Sequence, residues 1–276
     1  MKFTYRTKNN NFNLKSIVSD KLTNKKIKKR LKNKRSKNWL AVWNKNGKNL
    51  ILKKTQDLLN ANGHNSPMGT LNKDEWLNYV KDKIKKIKLK KNENILEYGC
   101  GSGAFLSYFY NKGFNLYGID YSRYQIQKAR KYFSKIKFKT GEISKIDSFN
   151  VKFNFIFSNL TFHYFDNYSY AKALIDKMIK NLKSNGSIFI TNIPDKDKEQ
   201  LFKKELINQI GIKEFKKKYS YHTHLFYKKL FFKQIAKKNN LKIKIFNESL
   251  KFSKNFKYRY NVILKKKSNP TLHIER

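Results

Sequence analysis

The stretch ILEYGCGSGAF, residues 95–105, decides the fold of this chain. It packs three glycines into five positions directly behind an apolar run that ends in a glutamate. A strand that runs into such a turn and then into a helix brings backbone N–H groups and the positive helix end up to a ligand. Glycine serves where a Cβ would block that approach. A phosphate-cradling loop requires GxxxxGK[ST], which is absent, and a dinucleotide fingerprint reads GxGxxG. Here Gly99, Gly101 and Gly103 give GxGxG, preceded by Glu97. The loop is therefore read as a nucleotide site whose nucleotide the loop alone leaves open.

Working outward, short apolar runs alternate with helical stretches from residue 94 onward. NILEY, AFLSYFYNK, NLYGID, YQIQKARKYF and IKFKT form a strand-helix-strand-helix-strand series, an alternation that argues for a parallel sheet with crossover helices. FNFIFSN reads as a fourth strand, YAKALIDKMIKNLK as a helix stopped by Asn185-Gly186, and SIFITNI as a fifth strand. A charged helical insertion around 197–218, a helix near LFFKQIAKKN and strands LKIKIF and YRYNVIL complete seven strands.

Upstream, DEWLNYVKDKIKKIKL has helical periodicity with acidic residues in its first turn, as the helix dipole prefers. NLILKKTQDLLNAN is a further helical stretch, and NGHNSPMG, with two glycines and a proline, is a loop between the two. Residues 1 to about 45 are lysine-dense, with Ile27, Leu31, Trp39 and Leu40 scattered among the charges; they read as a solvated helical extension or a partly disordered arm. The expected organisation is a basic helical N-terminal extension or lid over 1–73, a catalytic domain over 74–267 and a tail over 268–276.

Across its 276 residues the chain carries 63 Lys and Arg against 19 Asp and Glu, a formal charge of +44. The basic residues are overwhelmingly lysine, and asparagine, isoleucine, phenylalanine and tyrosine are abundant throughout. A+T-rich codons produce that profile, so most of the charge is read as composition and not as a nucleic-acid surface, which would favour arginine's planar fork. One cysteine, Cys100, excludes an internal disulfide and a cysteine metal cluster. No run approaches the roughly 18 apolar residues of a membrane span, and the first residues lack the apolar core of a secretory signal. A cytoplasmic location is expected.

Four elements occur in order on alternating strands: EYGCGSG, then GIDYS with Asp120, then TGEI with Gly141, Glu142 and Ile143, then FSNLTFHYF. Together they resemble the class I S-adenosylmethionine-dependent methyltransferases of the small-molecule type, over roughly residues 74–265. The resemblance implies an α/β, Rossmann-like fold: seven strands, mostly parallel, with an antiparallel last strand and helices on both faces. It implies S-adenosyl-L-methionine as cofactor, held by Glu97, Gly99, Cys100, Gly101, Gly103, Asp120, Tyr121, Glu142, Ile143 and Asn159. Asp120 would accept from the ribose hydroxyls, and Glu142 with the N–H of Ile143 would face the adenine. The chemistry agrees: this cofactor has no phosphate, and its ammonium and hydroxyls call for acceptors.

Methyl transfer from a sulfonium is an in-line displacement, so the enzyme mainly holds the acceptor atom and takes its proton. A cytosine-C5 mechanism needs a separate cysteine nucleophile, which this chain lacks. The strand-four turn reads SNLTF and not [DN]PP[YF], which disfavours methylation of a base amine. His163, at the carboxyl edge of the sheet, is a candidate general base or a residue that shapes the pocket. Phe162 and Tyr164 are pocket-lining candidates. His222 and His224 are candidate substrate contacts, a metal pair being the weaker reading, and no metal is expected. His64, with Trp43 and Asn62, is a candidate lid and substrate residue. The expected reaction is methyl transfer to a small molecule or a glycan or lipid precursor, at oxygen before nitrogen. The alternative is an RNA or ribosome-associated methyltransferase using the basic N-terminal arm.

Overall fold

Strand Asn94–Tyr98 (β1) runs buried into the glycine loop and is flanked on both sides by parallel neighbours. The structure is a computed structural model and describes residues 34–48, 51–66, 69–219, 223–248 and 256–267. The other strands of the main sheet are Asn115–Asp120 (β2), Lys137–Thr140 (β3), Phe153–Asn159 (β4), Leu182–Pro194 (β5), Leu241–Asn247 (β6) and Arg259–Lys266 (β7). Their order is β3-β2-β1-β4-β5-β7-β6. Only β7 runs against the rest, and it is wedged antiparallel between β5 and β6. The expected seven-stranded, mostly parallel sheet with an antiparallel last strand is the sheet observed.

The helices are Lys34–Lys48 (α1), Thr55–Ala61 (α2), Lys73–Ile84 (α3), Arg123–Tyr132 (α4), Tyr168–Lys180 (α5), Glu199–Ile210 (α6), Ile212–Tyr219 (α7) and Lys229–Lys238 (α8). Local chemistry sets several starts. Asn72 and Glu75 form a reciprocal capping box on α3, Ser122 caps α4, and Asn167 accepts from the Tyr170 N–H at 2.9 Å to cap α5. Among the described residues no helix is long and apolar enough to cross a membrane.

Strand alternation sends Leu96 and Ile156 to one face, where they meet Leu174, Met178 and Phe232 of α5 and α8. Ile95, Phe155 and Phe157 go to the other face, against Trp76, Val80, Phe105 and Ile126. Each such fully buried side chain contributes about 1.5–3 kcal/mol. Trp76 of α3 anchors the second layer, with its indole N–H donating to the Ala104 carbonyl at 3.0 Å.

Two local expectations change. AFLSYFYNK forms no α-helix: only a 3-10 turn, Leu106–Phe109, follows the glycine loop. The Ala104 carbonyl, which a helix would give to the N–H four residues on, is taken by Trp76 and by the Ser107 hydroxyl at 2.7 Å. The segment then ends at Asn111 and Gly113, both at positive φ. The second change is that α5 stops at Lys180 and not at Asn185-Gly186. Phe153 N–H binds the Asn181 carbonyl at 2.8 Å, and Leu182 already pairs with Phe153, so β5 begins before the serine-rich turn.

Candidate functional site

The carboxyl edge of the sheet gathers the glycine loop and three acidic side chains, because β1, β2 and β3 are adjacent and each has an acid within two residues of its end. Gly99 and Cys100 N–H both donate to the Ile119 carbonyl, at 2.7 and 3.0 Å, tying the loop across β2. Asp120 Oδ2 accepts from Gly101 N–H at 2.9 Å and Oδ1 from Ser122 N–H at 2.8 Å. Burial still raises the Asp120 carboxyl to about 6, against the pull of these N–H groups. Glu97 is buried deeper, and burial together with the neighbouring Asp120 pushes it well above the carboxylate range; its Oε2 has no hydrogen-bond partner. Burial raises Glu142 to about 7, opposed by the Tyr170 hydroxyl that donates to Oε2 at 3.3 Å. Ile143 lies buried beside it, opening a 3-10 turn. Tyr98 and Tyr170 join hydroxyls at 3.1 Å, so Glu142 sits at the end of a short relay rooted under the loop.

The left-handed backbone of the loop is required on both sides. A Cβ on Gly99 would fall 2.3 Å from Thr161 Oγ1, and one on Gly101 would fall 2.4 Å from Asn62 Oδ1. Asn62 is a clamp: its Oδ1 accepts from both the N–H and the hydroxyl of Ser102, each at 2.9 Å, and its Nδ2 reaches the Cys100 carbonyl at 3.3 Å. Cys100 itself is buried, with its thiol pushed up by burial and by the neighbouring acids, which keeps it unreactive. The Tyr121 hydroxyl is buried at this edge without a hydrogen-bond partner.

On the β4 side, Leu160 turns the chain at φ 52° and presents the 3-10 turn Phe162–Tyr164. Asn159 Oδ1 accepts from Thr191 Oγ1 at 2.7 Å, from Asn192 Nδ2 at 3.2 Å and from the Tyr79 hydroxyl at 3.2 Å, so its carbonyl is committed to the protein and only its amine can face a ligand. His163 is buried and held well below its ordinary pKa, by burial first and then by His224 and Arg259; its Nδ1 has no hydrogen-bond partner. The ring is neutral near pH 7 and available as a proton acceptor. His224 stands edge-on to it at 4.7 Å, and Tyr164 at 3.9 Å completes a cluster with it.

Helix α1 closes over this cluster. Trp39 stacks on His224 at 5.5 Å and touches Tyr164 at 4.6 Å, while Trp43 meets Tyr164 edge-on at 5.6 Å. Asn44 accepts from the Ser122 hydroxyl at 3.0 Å, and Gly47 lies so near α4 that a Cβ there would be 2.6 Å from Gln125 N. His64 is elsewhere in this picture: it packs on Trp76 at 4.6 Å, and burial lowers it to about 4. His222 lies outside the described residues. Sequence reasoning missed Trp39, Gln125, Tyr79 and Tyr170, none of which carries a local motif. Among the described residues no three His, Cys, Asp or Glu side chains come together as metal ligands.

This edge thus offers buried acceptors beside a clamped loop, with a neutral imidazole under an aromatic cover. A family model described as a methyltransferase domain matches residues 73–244. Magnesium protoporphyrin IX methyltransferase (ChlM) from Synechocystis PCC 6803, solved with bound SAH, is similar in fold with a TM-score of 0.53 at 14% identity, over 77% of this chain and 97% of that one. Plantazolicin methyltransferase BpumL, in complex with a pentazolic desmethylPZN analog and SAH, gives 0.54 at 17% identity over 83% and 99%. An S-adenosylmethionine-dependent methyltransferase from Clostridium acetobutylicum gives 0.51 at 15% over 71% and 92%. No curated protein sequence matches the chain. The matched segment takes in α3, the glycine loop, all three acidic strand ends, β1 to β5 and the start of β6, so the chain belongs to this methyltransferase-domain family.

Proposed function

We propose that the chain is an S-adenosylmethionine-dependent methyltransferase acting on a small molecule or a glycan or lipid precursor, at an oxygen atom. One observation carries the cofactor. Glu97, Asp120 and Glu142 are all pushed toward protonation by burial, and no lysine or arginine pairs with any of them among the described residues of a chain with net charge +44. A ligand that brings positive charge and hydroxyl donors fits that set, because its charge draws the carboxyls back toward ionisation and so turns the orphaned Glu97 Oε2 into an acceptor. A phosphate-bearing dinucleotide does not fit three acids at one edge.

S-adenosylmethionine bound here supplies an electrophilic methyl group on sulfur. Asp120 and Glu97, with the Gly99–Gly103 loop, hold it; Tyr121, Ile143, Glu142 and the Asn159 amine complete the holding set. His163 Nδ1, neutral and unbonded, accepts the proton of an acceptor hydroxyl. Residues 1–73 act as the lid, with Trp39 and Trp43 of α1 excluding water, Tyr164 and His224 lining the acceptor side, and His64 supporting it from behind. Residues 74–267 form the catalytic domain. Isothermal titration with S-adenosylmethionine tests the reading: Asp120→Ala is expected to weaken binding at least about tenfold. Unchanged affinity removes the cofactor assignment.

A further inference from the structure

The opposite edge of the sheet, where the parallel strands begin, holds a trough of about 1430 Å³ lined by eight lysines and one carboxylate. Its walls come from the approach to β1, the starts of β4, β5 and β6, and the end of β7, so residues far apart in sequence converge there only in the fold. None of the eight lysines forms an ion pair among the described residues. The lone acid, Glu93, is spent on the Lys90 N–H and the Asn154 amide. Two ammonium groups are fixed in place by neutral carbonyls, Lys152 on Lys180 O at 2.8 Å and Lys266 on Leu182 O at 2.9 Å. Burial and the charge of Lys152 lower the Lys266 pKa, the mark of like charges held together.

We propose that this trough is a docking site for a nucleic-acid strand, an RNA held by its phosphate backbone, independent of the methyl-transfer site. Composition alone would scatter lysines among acids, as it does on α5 and α6, where Lys172, Lys177 and Lys203 are paired. Here the single acid, Glu93, pairs with no lysine side chain. The trough is concave, which suits a strand better than a planar lipid surface. Asn185 adds an amide for sugar hydroxyls, Asn240 adds its amide N–H donors while its Oδ1 accepts from Lys267, and lysine point charges suit backbone contact without base readout. Because the trough lies at the edge away from Asp120 and His163, it anchors the enzyme and does not deliver the methyl acceptor.

The test uses the full chain and a labelled RNA of about 20 nucleotides in fluorescence anisotropy across a salt series. Lys88, Lys183 and Lys265 are exposed trough residues; Lys213, Lys233 and Lys237 are exposed lysines of α7 and α8. Changing the first three to Glu is expected to weaken binding at least about tenfold and to flatten the salt slope by about two, while the same change in the second three costs less than about threefold. A trough triple to Gln, with thermal melts on every variant, provides the result if the Glu version does not fold. Equal losses from both triples overturn the proposal, leaving only diffuse attraction. So does tighter binding of poly-glutamate or of phosphatidylserine vesicles than of RNA at the same ionic strength.

Discussion

The two edges of one sheet carry opposite chemistry. Where the parallel strands end, two buried acids and the half-buried Glu142 have no cationic partner among the described residues, and Lys83, fully buried nearby, is matched by Glu248. Where the strands begin, eight lysines share one acid. A net charge of +44 therefore describes neither place. It averages over a ligand cleft that is locally acidic and a trough that is locally basic, and only topology separates them.

The strongest way to break this contrast is through Lys83. Its ammonium contacts Glu248 and lies 4.9 Å over the Tyr79 ring, whose hydroxyl reaches Asn159 at the acidic edge. Lys83→Met strips Glu248 of its buried ammonium and is expected to cost about 3–5 kcal/mol in urea denaturation, whereas the pair Lys83→Met with Glu248→Leu comes out near neutral. A trough lysine such as Lys88 changed to Met is expected to stay within about 0.5 kcal/mol. Equal costs for Lys83 and Lys88 would erase the distinction between a matched and an unmatched lysine.

The acidic edge can be sharpened by pH. A cationic ligand binds the ionised carboxyls, and burial has raised Glu142 to about 7 and Asp120 to about 6 in the ligand-free protein. The part of the affinity for S-adenosylmethionine that these two carboxyls govern is therefore expected to be full above pH 8. It should fall below 7 and again below 6, each carboxyl approaching about tenfold per pH unit once protonated. Titrations in two buffers of different ionisation enthalpy should show proton release near pH 6. A flat profile between 5 and 8 contradicts the assignment of these acids to the ligand.

The smallest effect concerns Tyr170, whose hydroxyl favours the ionised form of Glu142. Tyr170→Phe should move the upper pH midpoint higher and lower affinity at pH 7 by about threefold, leaving the lower midpoint in place. An unmoved upper midpoint would mean that this hydrogen bond is only structural.

Much of the acidic edge was legible in the sequence because its parts are local: a strand, a glycine spacing, an acid at the next strand end. Glu97, Asp120 and Glu142 come together simply because their strands are neighbours. The cover was not legible. Trp39 reaches Thr223 from 184 residues away and His224 beside it, and Asn62 clamps a loop 40 residues on, contacts that leave no periodic trace. The missing helix after the loop was hidden for a related reason: a side chain from α3 takes the carbonyl that local propensity had assigned to the helix. The trough was least legible of all, since its lysines come from separate segments and look in sequence like the rest of a lysine-rich chain.

The placement of β7 between β5 and β6 sets an order of assembly. During synthesis β1 to β5 can pair as they emerge, but β6 appears with no neighbour to bind and must wait until residues 259–266 are made and inserted beside β5. For that interval the ribosome carries a half-finished sheet with an open edge at β5. Interruption of translation in this short window would release a chain with its methyl-donor cleft largely assembled and a strand edge free to capture another copy.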